Sequence, residues 1–378
     1  MKICFLSSMH PPYDKRVFEK EAVSLALEGH DVVHLCPDDA EGAHEKKGVT
    51  LVTYIKKAGI KARLFQLFSL YQRALNVDAD AYHCNEVDSW IIGVLLKIRH
   101  GKKCIFDVHE HYPSTFSDGR LPSFLKPIMA SLIKTLFKIL LPYTDNLVFA
   151  KRTVAGDFPN SSEKQVLVQN FTSLSEITLP ENRTCRNHSD KMTIVHLGLI
   201  GKIRGWPQIL EAMSLSNADI HLHIIGTIND GSEADFWKQV EKYKLKKRIK
   251  ISEWLPFHEA FAHLIKADVG LIAFQPNITN HIFALPHKMF DYMAAGMAIV
   301  IPKDAMEIAP IVQENECGLL IDSSNPQDMA DKFKHLYSNP ADALNMGMKG
   351  QHAVKSAYNW EIEVQKLFKM YQDLENSK

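Results

Sequence analysis

Four loops in this chain gather residue types that can do chemistry. The first, Ser7-Ser8-Met9-His10-Pro11-Pro12-Tyr13-Asp14-Lys15-Arg16, separates a short apolar run from an amphipathic segment. It lacks the G-x-G-x-x-G spacing of a dinucleotide turn. Asp14 suits a helix N-cap as well as a functional group, and Arg16 suits a surface position as well as a phosphate or acceptor contact. The second loop, Asp107-Val108-His109-Glu110-His111-Tyr112-Pro113, offers two imidazoles and two carboxylates. Histidines two apart point the same way only on extended backbone, and neither H-E-x-x-H nor C-x-x-C accompanies them. The expectation is one histidine facing a substrate, the others serving as scaffold, and no metal site.

The third loop, His196-Leu197-Gly198-Leu199-Ile200-Gly201-Lys202-Ile203-Arg204-Gly205-Trp206-Pro207, opens a helix. Its glycines permit close backbone approach, and Lys202, Arg204 and the helix N-terminus suit a diphosphate. The fourth, running from Ala284 to Gly296, enters a helix whose first turn holds Lys288 and Asp291. An acid there compensates the helix dipole. A lysine opposes it, which is reason to look for an anionic ligand.

These loops need elements to position them. Short apolar runs alternate with segments of helical period: strands at 3–6, 31–36, 50–54, 82–84, 103–108, 146–149 and 166–168, with helices at 17–27, 62–75, 90–98 and 121–141 between them. A polar, turn-rich stretch follows. The rhythm then restarts, with strands at 193–197, 220–225, 249–252, 269–273, 298–302 and 317–321 and intervening helices, and it ends on a helix at 361–374. Strands joined by helices imply right-handed crossovers and parallel sheets. The expected fold is α/β with two doubly wound, Rossmann-like domains facing across a cleft. Its expected parts are an N-terminal domain at 1–170, a linker at 171–190, a C-terminal domain at 191–356 and a returning helix at 357–378. Ligands of such sheets bind beyond the strands' carboxyl ends, where all four loops fall.

Composition narrows the class. The 378 residues include 44 Lys and Arg against 44 Asp and Glu, so no basic excess points to nucleic acid. The six cysteines form no C-x-x-C pair, and four fall in or beside apolar runs, reading as core residues in a reducing compartment. The first apolar run is too short for a signal peptide, and no run is long enough to span a bilayer, so a cytoplasmic protein is expected. Charge is unevenly spread. Residues 46–77 hold Lys46, Lys47, Lys56, Lys57, Lys61, Arg63 and Arg73 and no acid. Residues 119–144 hold Arg120, Lys126, Lys134 and Lys138, again with no acid. Any one such run reads as a solvated face. Two in the same half suggest docking on anionic lipid, from the inner face of the membrane, or on a phosphate-bearing acceptor.

Taken in order, five segments resemble glycosyltransferase family 4, of the GT-B fold. They are "HPPYDKRVFEKEAVSLALEGHDVVHLCP", "FDVHEHYPS", "VHLGLIGKIRGWPQILEAM", "ALPHKMFDYMAAGMAIVIP" and "NWEIEVQKLFKMYQDL". The resemblance implies a retaining, metal-independent hexosyl- or N-acetylhexosaminyltransferase. It would use a nucleotide diphosphate sugar (UDP- or GDP-linked) as co-substrate, with no other cofactor, and a saccharide or polyprenyl-diphosphate-linked acceptor in surface polysaccharide biosynthesis. Without a metal, the leaving diphosphate must be met by basic side chains and helix N-termini. The resemblance assigns that role to Arg204 and Lys288, with Gly198, Lys202 and Gly205 around them. It puts Asp291 on the ribose hydroxyls, His109 beside the donor sugar, and Trp254 and Leu255 near the base. Arg16 and Glu110 are the remaining candidates for phosphate or acceptor contacts. Asp78-Ala79-Asp80 resembles a metal-holding D-x-D motif but precedes its strand, the wrong end for a ligand, and reads as structural.

The sequence departs from the family pattern in four places. Phe283 stands where the first of two paired acids is usual, and Asp291 is one methylene shorter than the usual Glu. Gly198 falls where an arginine is common, and Glu253 where glycine is usual. These departures bear on donor identity. They also keep two other readings in view: a nucleotide-sugar epimerase or hydrolase on the same fold, and a non-catalytic binding subunit of a partner transferase.

Overall fold

The computed structural model describes residues 1–56, 60–117, 122, 124–181 and 183–377, without the side chains of 60–65 and 116–117. Lys57, Arg120, Leu121 and Asn182, and the side chains of Lys61 and Arg63, therefore lie outside the described residues. The chain divides into two units, Met1–Asn170 with Glu363–Lys378, and Phe171–Ile362. The polar stretch at 171–190 thus groups with the second unit. The last helix, Trp360–Asn376, begins in the second unit, and its residues from Glu363 onward group with the first.

The first unit is built on strands β1 (Lys2–Leu6), β2 (Asp31–Asp38), β3 (Gly42–Lys46), β4 (Val49–Ile55), β5 (Ala81–Cys84), β6 (Lys103–Val108), β7 (Asn146–Phe149) and β8 (Gln165–Leu167). Their order in the sheet is β3-β4-β2-β1-β5-β6-β7-β8. All neighbours pair in parallel except β3 with β4. The sequence reading had no strand at β3. Each of its five residues is exposed, so it has no apolar alternation, and it is held only as the outer arm of a hairpin on β4. The chain turns back at β1, with β2 on one side and β5 on the other, which makes the ends of β1 and β5 the switch point where ligands collect. The core beneath it stacks Trp90 on Phe106 at 4.1 Å between ring centres, with Phe137 and Phe158 packed alongside.

The helix expected at 17–27 is present, but Val17–Ala22 is wound as a π-helix before Val23–Leu27 continues as α. The Glu21 amide bonds the Arg16 carbonyl at 3.0 Å, a five-residue step. That wide turn brings the Arg16 and Glu21 side chains together on the buried side. The helix expected within 121–141 after the early prolines runs Lys126–Leu140, with Pro127 in its first turn.

The second unit follows the same plan with β9 (Met192–Leu197), β10 (Ile220–Ile225), β11 (Ile249–Ser252), β12 (Val269–Leu271), β13 (Ala298–Pro302) and β14 (Gly318–Ile321), in the order β11-β10-β9-β12-β13-β14. Every pairing is parallel. The switch point falls between β9 and β12. Five of the six strands match the sequence reading to within a residue, because these apolar runs are bounded by turn residues. β12 stops two residues short, and a short helix at Ala309–Glu314 was not foreseen. No described helix is long and apolar enough to cross a membrane.

Candidate active site

In the second unit, four expected residues gather at the end of β9. Gly198 leaves the strand at φ +91°, and a side chain there would point at the Lys288 ammonium, 3.9 Å from where its Cβ would lie. Arg204 donates from Nη1 to the Leu199 carbonyl at 2.9 Å, so its guanidinium folds back over the same loop. Gly205 caps the following helix at φ +85°. A Cβ there would lie 2.3 Å from the Ala273 carbonyl at the end of β12, so only glycine lets this turn close against the switch point.

Lys288 is delivered by the helix His287–Ala294. Two buried residues one turn on anchor that helix. Tyr292 accepts the Leu197 amide at 2.8 Å through its hydroxyl, its ring filling the space left by Gly270. Asp291 accepts the Thr172 hydroxyl at 2.6 Å. With its base fixed at the end of β9, the helix aims Lys288 inward, Nζ 3.5 Å from His196 Nε2 and 5.5 Å from the Phe274 ring centre. His281 stacks on the other partner of that contact, its ring 4.7 Å from Phe274.

The electrostatics are one-sided. Among the described residues neither Arg204 nor Lys288 has a carboxylate within ion-pair distance. Burial, then the nearby Arg204 charge, pushes the Lys288 ammonium down to about 7. Burial and Lys288 drive His196 well below its usual range, and burial with Arg204 pushes His281 down to about 4. Two cations and two neutral imidazoles thus gather at a helix start, where Asp291, itself engaged by Thr172, offsets the Lys288 charge only in part. That is an anion site in composition and in place.

Other expected residues take different roles. Lys202 gives its ammonium to Asp235 at 2.6 Å on the exposed surface, so the structure does not bring it to Arg204. Asp291 is 1% exposed, and its bond to Thr172 makes it an anchor of the Lys288 helix rather than an open ligand for ribose hydroxyls. Trp254 is 70% exposed on the loop after β11, and Leu255 beside it packs partly into the core. His196 and His281 are the residues that sequence reasoning did not single out. A histidine at a strand's carboxyl end was the available signal for His196. His281 offered none, because its neighbour Phe274 is brought to it only by the fold.

In the first unit, a second cluster sits at the end of β6. Asp107, fully buried, accepts from Arg16 Nε at 3.0 Å and Nη2 at 2.9 Å. Arg16 also bonds the Val168 carbonyl at 2.8 Å and lies 2.8 Å from Glu21. The guanidinium is thus committed inside the unit. This corrects the expectation of a phosphate or acceptor contact, because all three of its nitrogens are engaged internally. Burial would raise Asp107, but Arg16 and His109 hold it well below the usual carboxylate range. Burial raises Glu21 well above its ordinary value, with the Arg16 charge opposing it. Glu21, His83 and Asp107 offer ligand atoms within 4.8 Å of one another, but Arg16 already supplies the cation there.

His109 bonds Asp107 Oδ2 through Nε2 at 2.6 Å and is 12% exposed. With Nε2 donating, Nδ1 carries the free lone pair. Its ring lies 4.7 Å from that of His10, which meets Asp14 at 3.2 Å and Glu86 at 3.9 Å. Burial works against charge on His10, but these two carboxylates outweigh it and raise its pKa. Glu86 accepts the amides of Ser8, Met9 and His10 at 2.8, 2.8 and 3.0 Å, which fixes the first loop. Asp14 acts as a cap, accepting the Arg16 and Val17 amides. His111 pairs with Asp157 at 3.1 Å, and exposed Glu110 accepts from Thr115 at 2.9 Å. Asp80 accepts the Lys2 amide and Asp78 pairs with Lys102, both as scaffold.

Comparison with known proteins follows the same division. Residues 16–170 match the family model described as Glycosyltransferase Family 4, and residues 181–353 the model described as Glycosyl transferases group 1. Among curated proteins no sequence matches. Among solved structures, sucrose-phosphate synthase from Thermosynechococcus elongatus is similar at TM-score 0.76 and 15% identity, covering 100% of both chains. HepE of Anabaena, solved with UDP, is similar at TM-score 0.76 and 13% identity, covering 99% of this chain and 100% of its own. WaaG, a glycosyltransferase involved in lipopolysaccharide biosynthesis, is similar at TM-score 0.68 and 11% identity, covering 96% and 97%. At these identities the likeness is one of fold.

Proposed function

Because this chain is a family-4-like glycosyltransferase of the GT-B fold, we propose that it moves a hexosyl or N-acetylhexosaminyl group from a UDP- or GDP-linked donor. The acceptor is a saccharide or a polyprenyl-diphosphate-linked saccharide, in the building of a surface polysaccharide. The transfer proceeds with retention and without a metal ion. The observation that carries this reading is the pair Arg204 and Lys288 at the end of β9, neither with an ion-pair partner among the described residues. A departing diphosphate is the ligand such a pair suits. Its developing charge meets a guanidinium, an ammonium and fixed amide dipoles in a largely desolvated site, where these interactions are strong and need no reorganisation. UDP is the first base to test, since similar folds have been solved with UDP and with UDP-glucose. His109, oriented by Asp107, is the first unit's candidate for contact with the sugar. Retention rests on the family resemblance.

The test is thermal melting with UDP, GDP, ADP and their common sugar conjugates, on wild type, Arg204→Ala and Lys288→Ala. A ligand specific for the native state stabilises by about 2.7 kcal/mol at a hundredfold excess over Kd. Stabilisation by one nucleotide, lost in both variants, supports the donor site. A nucleotide shift that survives both substitutions would place the diphosphate elsewhere. Donor breakdown without acceptor would favour an epimerase or hydrolase instead.

A further inference from the structure

The helix Lys126–Leu140 is apolar on two sides. Ile133, Phe137 and Leu140 are buried in the first unit's core. Ile128, Leu132 and Ile139 are 54%, 59% and 60% exposed. These three are spaced by four and seven, so they form one stripe along the open side of the helix. Phe124, 70% exposed, stands before the helix, and Tyr143, 44% exposed, after it, so an aromatic ring flanks the stripe at each end. Lys138 lies about 100° further round from Ile139 and borders the stripe on its solvent side, with Lys134 beyond it. Lys138 is exposed. Lys134 is too, its nearest carboxylate being Asp157 at 4.0 Å. No acid occurs between Gly119 and Thr144.

An exposed apolar stripe with a lysine border and no carboxylate of its own segment has the anatomy of a helix that lies in a bilayer interface. The stripe enters the acyl boundary while the lysines reach anionic headgroups. We propose that this face of the helix docks the protein on an anionic lipid surface. A second copy of the chain is the poorer occupant, because a two-fold pairing would bring two lysine borders together with only the largely buried Asp157 of each, already paired with His111, to offset them. The inference deepens the transferase reading, since a lipid-linked acceptor is presented at such a surface.

Sedimentation with vesicles, without nucleotide, tests the docking independently of the donor site. The vesicles are pure phosphatidylcholine, or equimolar phosphatidylcholine and phosphatidylglycerol. Wild type is expected to bind the mixed vesicles, and more weakly as salt rises. Leu132→Glu with Ile139→Glu should lower the partition roughly tenfold or more, as should Lys134→Glu with Lys138→Glu. All four positions are exposed, so the melting temperature and any nucleotide-induced shift should stay as in wild type. Three results overturn the proposal: equal binding to pure phosphatidylcholine, undiminished binding by the variants, or no vesicle binding. A concentration-dependent dimer lost in the Glu variants would assign the face to self-association instead. Loss of the UDP shift with vesicle binding intact would fault the donor reading and leave the docking standing.

Discussion

Lys288 Nζ lies 3.5 Å from His196 Nε2, and no carboxylate of the described residues pairs with either. A half-buried ammonium beside a neutral imidazole is an expensive arrangement in the absence of a paired anion. It makes the behaviour of Lys288 the most direct report on what this site binds.

The first prediction concerns pH. The Lys288 ammonium titrates near pH 7 in the folded chain, against an ordinary value of 10.5. An anion beside it favours the charged form and raises that value. Affinity for a nucleotide diphosphate sugar, whose diphosphate carries no proton that titrates in this range, should therefore be flat below pH 7 and fall above it, by up to about tenfold per pH unit. Binding above pH 7 should take up a proton. Calorimetry in buffers of different ionisation enthalpy measures that uptake, and an enthalpy independent of buffer would refute it.

The second concerns stability without ligand, and its sign is the reverse of an ordinary ion pair. Because the folded value is depressed, the unfolded chain binds more protons on Lys288 between pH 7 and 10.5. This residue's cost is full below pH 7 and relieved as pH rises through that window. Lys288→Met should stabilise the ligand-free protein near neutral pH by about 1 kcal/mol while abolishing any nucleotide-induced shift. Paired melting curves with and without UDP check both halves.

The third concerns the buried pair Arg16 and Asp107. Arg16→Met leaves Asp107 without its cation and should cost about 3–5 kcal/mol, whereas Arg16→Met with Asp107→Asn should cost less than the sum of the two single changes. Urea unfolding of the four proteins gives the coupling. Strict additivity would show that the pair does not act as a unit.

The fourth concerns His109. Its bond to Asp107 selects the tautomer protonated on Nε2. In Asp107→Asn the nitrogen shifts of His109 should report a mixture of tautomers. If His109 faces the donor sugar, turnover should fall on the order of a hundredfold, with KM less affected. An unchanged tautomer would remove Asp107 as the residue that orients His109.

The fifth concerns the turn behind Arg204. Gly205→Ala forces a Cβ toward the Ala273 carbonyl at a backbone angle that L residues avoid. It should destabilise the second unit by at least about 2 kcal/mol and weaken nucleotide binding. Melting and titration with UDP test this together.

Much of this protein was legible in its sequence. The second unit's strands run three to six residues, mostly apolar and closed by turn residues, and for all but β12 that local pattern sets where a strand begins and ends. Arg204 and Lys288 could also be read, because cations next to glycines and helix starts need an anion whatever surrounds them. What only the tertiary structure decided lies in pairings between distant residues. Arg16 is an internal ion-pair partner because Asp107, 91 residues on, meets it across the end of the sheet. Asp291 is an anchor because Thr172, 119 residues before it, covers it. His281 joins the site only because Phe274 packs under it. The helix at 126–140 is apolar on both sides, and no local rule states which of two apolar faces a neighbour will cover. Local preference is settled by a few adjacent residues, whereas the partner of a buried charge or an apolar face is chosen by how the whole chain closes on itself.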